Sequence, residues 1–222
     1  MGYWAYYLLW LLAFYVFGHP ILLLGLLAFV LLRRYIPDPL VWARTSSTQR
    51  RLRDQVAANP SNATARRDLA RIYLERKRPS AALELLAQAR ARFPDDAELL
   101  YLTGVGRLRS GDPEGALGPL VEAIDRDPRT GFGDPYRCAG DALAALGRLE
   151  EAEDAYERFV ATNGSSLEGW YKLYRVRRRR GEHAAAKRAL EEVFDTWRAL
   201  PGYLRRQQWA WWLRAMPARW LL

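Results

Sequence analysis

Hydrophobic and polar residues are distributed in two different ways along the chain. The stretch Gly2–Leu32 contains no Asp, Glu, Lys or Arg, whereas the rest mixes apolar and charged residues at helical spacing. A straight helix over Gly2–Leu32 would be about 46 Å long at ~1.5 Å per residue, against a bilayer hydrocarbon core of about 30 Å. The break at Gly18–Pro20 therefore predicts two apolar helices, over residues 3–17 and 20–35.

The first of these helices is rich in aromatic residues and the second is aliphatic, so residues 1–36 are predicted to be a broken transmembrane or interfacial anchor. A cleavable signal peptide is the alternative, but the stretch has no basic n-region and no small-x-small site before Arg33. Basic residues next to an apolar helix favour the cytoplasmic side, which places the rest of the chain in the cytoplasm. The N-terminal residues expected to contact the membrane are Trp4, Trp10, Phe14, Arg33 and Arg34.

Beyond Pro39 the sequence repeats itself with a period of 34 to 36 residues. Three positions recur in every unit: a close-packing alanine, a small residue, and a turn residue that is usually glycine. The alanines are Ala82, Ala116, Ala152 and Ala186; the small residues are Ala70, Gly104 and Gly140, with Tyr174 in the last unit; the turn residues are Lys77, Gly111, Gly147 and Gly181.

This pattern resembles the tetratricopeptide repeat (TPR) family, in which each unit is a pair of helices. The resemblance implies an all-α solenoid of four units, residues 63–96, 97–130, 133–166 and 167–198. Because stacked repeats need polar caps, the linker 37–62 is expected to include a capping helix over residues 46–59.

The C-terminal segment, residues 199–222, is rich in Trp and Arg and contains no acidic residue. It predicts a helix over Tyr203–Met216 that Pro217 stops. Two interpretations stay open: a helix that caps the stack, or an interfacial helix that lies on the membrane. The residues expected to contact the membrane in the second case are Trp209, Trp211, Trp212 and Trp220.

The resemblance also implies a groove lined by the first helix of each unit, which would bind protein segments, including acidic ones. A solvated, salt-bridged surface is the alternative for its arginines. Carried over by position, the groove residues are Arg67, Arg71, Leu74, Tyr101, Val105, Leu108, Arg137, Asp141, Tyr171, Arg175 and Arg178.

The net charge of +9 is concentrated outside the repeats. Residues 33–58 and 199–222 each carry +4, whereas residues 59–198 carry only +1. This placement favours a membrane surface over nucleic acid as the partner of the basic segments. The run Arg177–Arg180 inside the fourth unit permits a solvated face, a contact with acidic lipid or protein, or, less plausibly, nucleic acid.

The composition indicates a non-enzymatic protein. One cysteine, Cys138, and two histidines, His19 and His183, provide neither a metal site nor a catalytic set, and no cofactor is expected. The leading hypothesis is a membrane-tethered scaffold or adaptor that supports recruitment or assembly at a bacterial inner membrane. The alternative is an accessory structural subunit of a larger integral membrane complex.

Overall fold

The computed structural model describes residues 10, 18–19, 24–25, 39–59 and 61–219. That part of the chain contains ten α-helices and no β-strand. It divides into two compact units, Met1–Ser47 and Thr48–Leu222. The all-helical solenoid that the repeats predict is therefore confirmed within the second unit.

The two predicted membrane helices lie outside the described residues, as do Trp4, Phe14, Arg33 and Arg34. Of the same segment, Trp10 and Leu24 are described, and both side chains are exposed. Among the helices that the structure describes, none is both long and apolar enough to cross a bilayer.

Helix α1 spans Pro39–Ala58 and so begins before Ser46, where the capping helix was predicted to start. Proline at the first helical position costs no hydrogen bond and has a φ suited to a helix, so Pro39 begins this helix. The part of α1 after Thr48 contributes Leu52 to the core of the second unit.

Four helix pairs follow, each joined by a short turn. They are α2 (Ala63–Glu75) with α3 (Pro79–Arg90), α4 (Ala97–Arg109) with α5 (Pro113–Arg126), α6 (Asp134–Ala145) with α7 (Leu149–Thr162), and α8 (Leu167–Arg179) with α9 (His183–Ala199). Asn62, Asp96 and Ser166 cap the first helices of three pairs by accepting a backbone N–H. The turns use Gly111, Gly147 and Gly181 in the left-handed region.

Close contact between paired helices explains the small residues of the repeat. A Cβ atom on Gly104 would lie 2.4 Å from Cγ of Leu120, and one on Gly140 would lie 2.6 Å from Cε1 of Tyr156. Leu120 is fully buried, and Tyr156 is nearly so. The repeat therefore specifies its packing by residue volume at these positions.

The connection between the second and third helix pairs is longer than the other connections between pairs, and it contains a single 3-10 turn over Thr130–Gly133. Gly131, Phe132 and Gly133 all have positive φ. The loop holds the side chain of Phe132 in solvent, where it is 80% exposed.

The last helix, α10, spans Gly202–Arg219 and continues through Pro217, which was predicted to stop it. Proline removes one helical N–H, but Ala215 and Ala218 on either side of it are buried, and this packing retains the last turn. Because α10 packs against both α8 and α9, it covers the end of the stack as a capping helix does.

Aromatic contacts hold α10 in that place. Trp212 stacks on Trp197 with ring centroids 5.2 Å apart, and Trp211 lies 6.0 Å from Tyr171. Two of the tryptophans predicted to contact a membrane are thus packed against the stack instead. Trp209 is 56% exposed, and Trp220 lies outside the described residues.

Candidate protein-binding face

The first helices of the four pairs, α2, α4, α6 and α8, bring polar side chains together along one face, which we call the A-face. At its start, Arg67 Nη1 lies 2.7 Å from Glu98 Oε2, and Arg71 pairs with the other oxygen of the same carboxylate. Glu98 lies on α4 and the arginines lie on α2, so this ion-pair group connects the first two repeat units, each of which is one helix pair.

The next contact along the A-face joins the second and third units. Tyr101 on α4 donates its hydroxyl hydrogen to Asp134 on α6. Arg137 binds the same carboxylate with two donors, at 2.6 Å from Nε and 2.8 Å from Nη2. This forked arrangement fixes both side chains and is stronger than a single neutral hydrogen bond.

The network continues to the fourth unit. Arg137 Nη1 lies 3.2 Å from Asp141 and 3.2 Å from Glu168, and Lys172 Nζ lies 2.6 Å and 2.7 Å from the same two carboxylates. Tyr156 donates to the second oxygen of Asp141 at 2.7 Å. With Asp134 this central network holds three carboxylates against two cations, so it carries a net charge of −1.

Burial and charge shift the pKa values in the central network. Burial alone would raise the pKa of Asp134, but the hydrogen bonds and charge of Arg137 outweigh burial and hold it below its ordinary value. Burial, reinforced by the charge of Asp134, raises the pKa of Tyr101, so its hydroxyl stays a donor. Burial also raises the pKa of Cys138 to about 12, which keeps the thiol protonated and unreactive at neutral pH.

The lowered pKa of Asp134 gives a pH prediction. Its carboxylate stabilises the folded chain at pH values above its ordinary pKa of 3.8, and this contribution disappears as the pH falls through the lower pKa of the folded state. We expect Asp134→Asn to lower the free energy of unfolding at pH 6, and the difference from the natural chain to shrink below pH 4. Urea titrations at several pH values measure this difference, with the exposed Asp125→Asn as control. A difference that stays constant down to pH 3 would contradict the assignment.

Beyond the central network, the A-face reaches a cleft of about 420 Å³ beside α10. Arg175 and Arg178 lie here with Tyr171, Tyr174, Arg179, Arg214, Pro217 and Ala218. The A-face therefore has a central network with a net charge of −1 and, beside α10, an arginine-lined region that we call the basic cleft.

Comparisons with known proteins place this architecture in a family. Two tetratricopeptide repeat models match the chain, one over residues 44–104 and one over residues 134–176. The TPR repeat-containing protein PA0015 of Pseudomonas aeruginosa is 34% identical over 80 residues, which are 36% of this chain and 74% of that protein. This chain belongs to the TPR family. Its members are generally protein-binding scaffolds, and the predicted TPR identity is confirmed.

Solved TPR structures share the fold at low sequence identity. MamA has a TM-score of 0.61 and 20% identity, over 67% of this chain and 85% of MamA. PilF of Pseudomonas aeruginosa has a TM-score of 0.63 and 19% identity, over 69% of each chain. YrrB, described as a TPR protein with an unusual peptide-binding site, has a TM-score of 0.57 and 17% identity, over 69% of this chain and 78% of YrrB.

The residues predicted for the TPR groove divide into three groups. Arg67, Arg71, Tyr101, Arg137 and Asp141 lie in the ion-pair groups of the A-face. Tyr171, Arg175 and Arg178 line the basic cleft. Leu74 and Val105 are buried in the core and so do not line a groove, whereas Leu108 is only partly buried against the core. Apolar side chains at these positions pack between the helices rather than reach the A-face.

Several side chains of the A-face were not predicted from the sequence, among them Tyr156, Lys172 and Arg214. One of them had a local signal, because Lys172 follows Glu168 by four residues, the spacing at which opposite charges meet on a helix. Tyr156 and Arg214 come from helices other than the first of a pair. Only the tertiary structure brings them to this face.

Proposed function

We propose that this TPR protein is a membrane-tethered scaffold that binds protein partners along its A-face and supports their recruitment or assembly at the bacterial inner membrane. The observation that carries the proposal is the continuity of the A-face. Its side chains come from the first helices of four successive units, and each unit is linked to the next, by Arg67 with Glu98, Tyr101 with Asp134 and Arg137 with Glu168. A partner segment lying along this face would contact all four units at once.

The chemistry of the A-face suits a peptide segment. It offers guanidinium groups, carboxylates and tyrosine rings side by side, with Arg71 and Glu98 partly exposed at its start. Arg and Tyr are the residues that most often contribute strongly to protein interfaces. The description of YrrB as peptide-binding supports the same use of a related fold.

The tether is proposed from the sequence. Gly2–Leu32 is uncharged and long enough for a bilayer, and Arg33 with Arg34 follows it directly. By the positive-inside rule the solenoid would then lie in the cytoplasm. Trp209 and Arg206, both exposed on α10, would offer the membrane a second contact.

A second candidate function is an accessory subunit of a larger integral membrane complex. The density of aromatic residues before Phe17 favours this alternative, because aromatic side chains suit contacts with other membrane helices as well as the bilayer interface. In that case Trp4→Ala together with Trp10→Ala would release the chain from its complex. The same double variant would leave partner binding by an adaptor intact.

Copurification in mild detergent followed by mass spectrometry tests the proposal. A scaffold is expected to retain substoichiometric protein partners, whereas a built-in subunit retains a stoichiometric set of integral membrane proteins. Arg67→Ala with Arg71→Ala should lower partner recovery by about tenfold, the effect of losing ~1.4 kcal/mol of binding free energy.

The matched control is Arg92→Ala with Arg188→Ala, which removes two exposed arginines outside the A-face. Circular dichroism shows whether both double variants retain their helices. Equal recovery from the two variants would contradict a role for the A-face in partner binding.

A further inference from the structure

The arginines near the end of α8 form two groups. Within the described part of the chain, acidic side chains pair with the arginines of one group but not with those of the other. Arg177 pairs with Glu153 at 2.7 Å and also with Glu157. Arg180 pairs with Glu153 too, and with Glu150 at 3.3 Å and Glu182 at 2.8 Å. Acidic residues, most of them on α7, therefore account for these two arginines, which serve the stack itself.

The other arginines line the basic cleft, which contains no acidic residue among its lining side chains. Arg178 Nη1 donates to the Tyr174 hydroxyl at 3.0 Å, and Arg179 Nη1 donates to the backbone carbonyl of Ala144 at 3.3 Å. The guanidinium of Arg214 lies 4.3 Å from the ring centroid of Trp211. Neutral groups thus hold these three cations in place without cancelling their charge.

Arg175 is the fourth cation of the cleft and forms no ion pair with any residue that the structure describes. It also lines a smaller neighbouring space with Asp141, Tyr156 and Lys172. Asp141 there already pairs with Arg137 and Lys172 and accepts from Tyr156. The carboxylate of Asp141 is therefore committed to the central network.

We propose that the basic cleft binds the acidic end of a partner peptide, with two or more Asp or Glu side chains against Arg175, Arg178, Arg179 and Arg214. The inference rests on the proposed protein-binding function and names the chemistry of the segment. Guanidinium groups bind carboxylates with forked, charge-assisted hydrogen bonds. A volume of about 420 Å³ with the rings of Tyr171 and Tyr174 accommodates side chains of this size.

The charge change along the A-face selects a peptide over other anions. The central network beside the cleft carries −1, so the ligand must be negative over the cleft and neutral or positive over Asp141 and Glu168. A nucleic acid or an anionic bilayer is uniformly negative and would be repelled there. A peptide can change its charge within a few residues.

Fluorescence anisotropy with the full-length chain in a neutral detergent tests the proposal. One labelled probe has the sequence Glu-Glu-Glu-Gln-Gln-Gln, and its neutral counterpart is six glutamines. We expect the acidic probe to bind at least tenfold more tightly, and the double variant Arg175→Gln with Arg214→Gln to lose at least tenfold in affinity for it.

The matched control is Arg92→Gln with Arg188→Gln, which removes the same charge from exposed positions outside the cleft. We expect it to change the affinity by less than twofold. Equal losses in the two double variants would reduce the effect to net charge and overturn the proposal. Binding of phosphatidylglycerol vesicles that depends on Arg175 and Arg214, without binding of the acidic probe, would also overturn it.

The two proposals fail differently. In one outcome, partner recovery depends on Arg67 and Arg71 while the chain shows no preference for the acidic probe. That result would contradict the cleft proposal and leave the scaffold proposal standing. If no A-face variant lowers partner recovery, the scaffold proposal fails as well.

Discussion

Replacing Arg137 by alanine is expected to lower the free energy of unfolding by about 3 kcal/mol, the usual cost of removing one partner from a largely buried ion pair. The side chain is only 19% exposed and contacts Asp134, Asp141 and Glu168. Without it, Lys172 alone faces three carboxylates, and the repulsion adds to the lost hydrogen bonds.

Arg175→Ala is the matched control for this prediction. Arg175 lies on the same face but forms no ion pair with a described residue, so its removal is expected to change stability by less than about 0.5 kcal/mol. Urea titration followed by circular dichroism measures both variants. Similar losses for the two arginines would mean that the central network does not hold the units together.

This contrast separates structural from functional arginines, which the sequence alone does not do. Arg137 lies in the third unit and Arg175 in the fourth, and the resemblance assigned both to a binding groove. The fold pairs the first with three carboxylates from two helices, whereas the second forms no ion pair with a described residue. A binding role therefore fits Arg175 better, because its charge remains available to a ligand.

The repeats were predictable because their spacing is a local property of the chain. Alanine recurs at one close-packing position in all four units, and glycine or alanine recurs at a second in the first three, because the paired helices approach closely there. Helix ends were less predictable. The capping helix was predicted from Ser46 yet begins at Pro39, and Pro217 was predicted to stop a helix yet lies within one.

The tryptophans of the last helix show the limit of reasoning from composition. Trp209, Trp211 and Trp212 are consecutive or nearly so, and together they suggested a membrane contact. Their positions around α10 decide their roles, since Trp211 and Trp212 pack against Tyr171 and Trp197 while Trp209 faces solvent. Trp209 is the most exposed of the three and is the one best placed for a second surface.

A large effect on the free energy of unfolding is also expected where a substitution adds volume between two paired helices. We expect Gly104→Ala to lower the free energy of unfolding by about 2 kcal/mol, although alanine is the better helix former by ~1 kcal/mol. The new Cβ would lie 2.4 Å from Cγ and 2.6 Å from Cδ2 of Leu120. Because Leu120 is fully buried, it cannot move away without disturbing the core.

The same substitution in two leucine backgrounds tests whether Leu120 is the cause. In a Leu120→Ala chain the overlap is gone, so Gly104→Ala should cost nothing or add slightly to stability. In a Leu190→Ala chain, which has its deletion in the fourth unit, the substitution should cost the same as in the natural chain. An equal cost in both backgrounds would mean that Gly104 is required for a reason other than contact with Leu120. A cost that vanishes only with Leu120→Ala would establish that the second unit requires Gly104 because Leu120, on its own second helix, leaves no room for a methyl group.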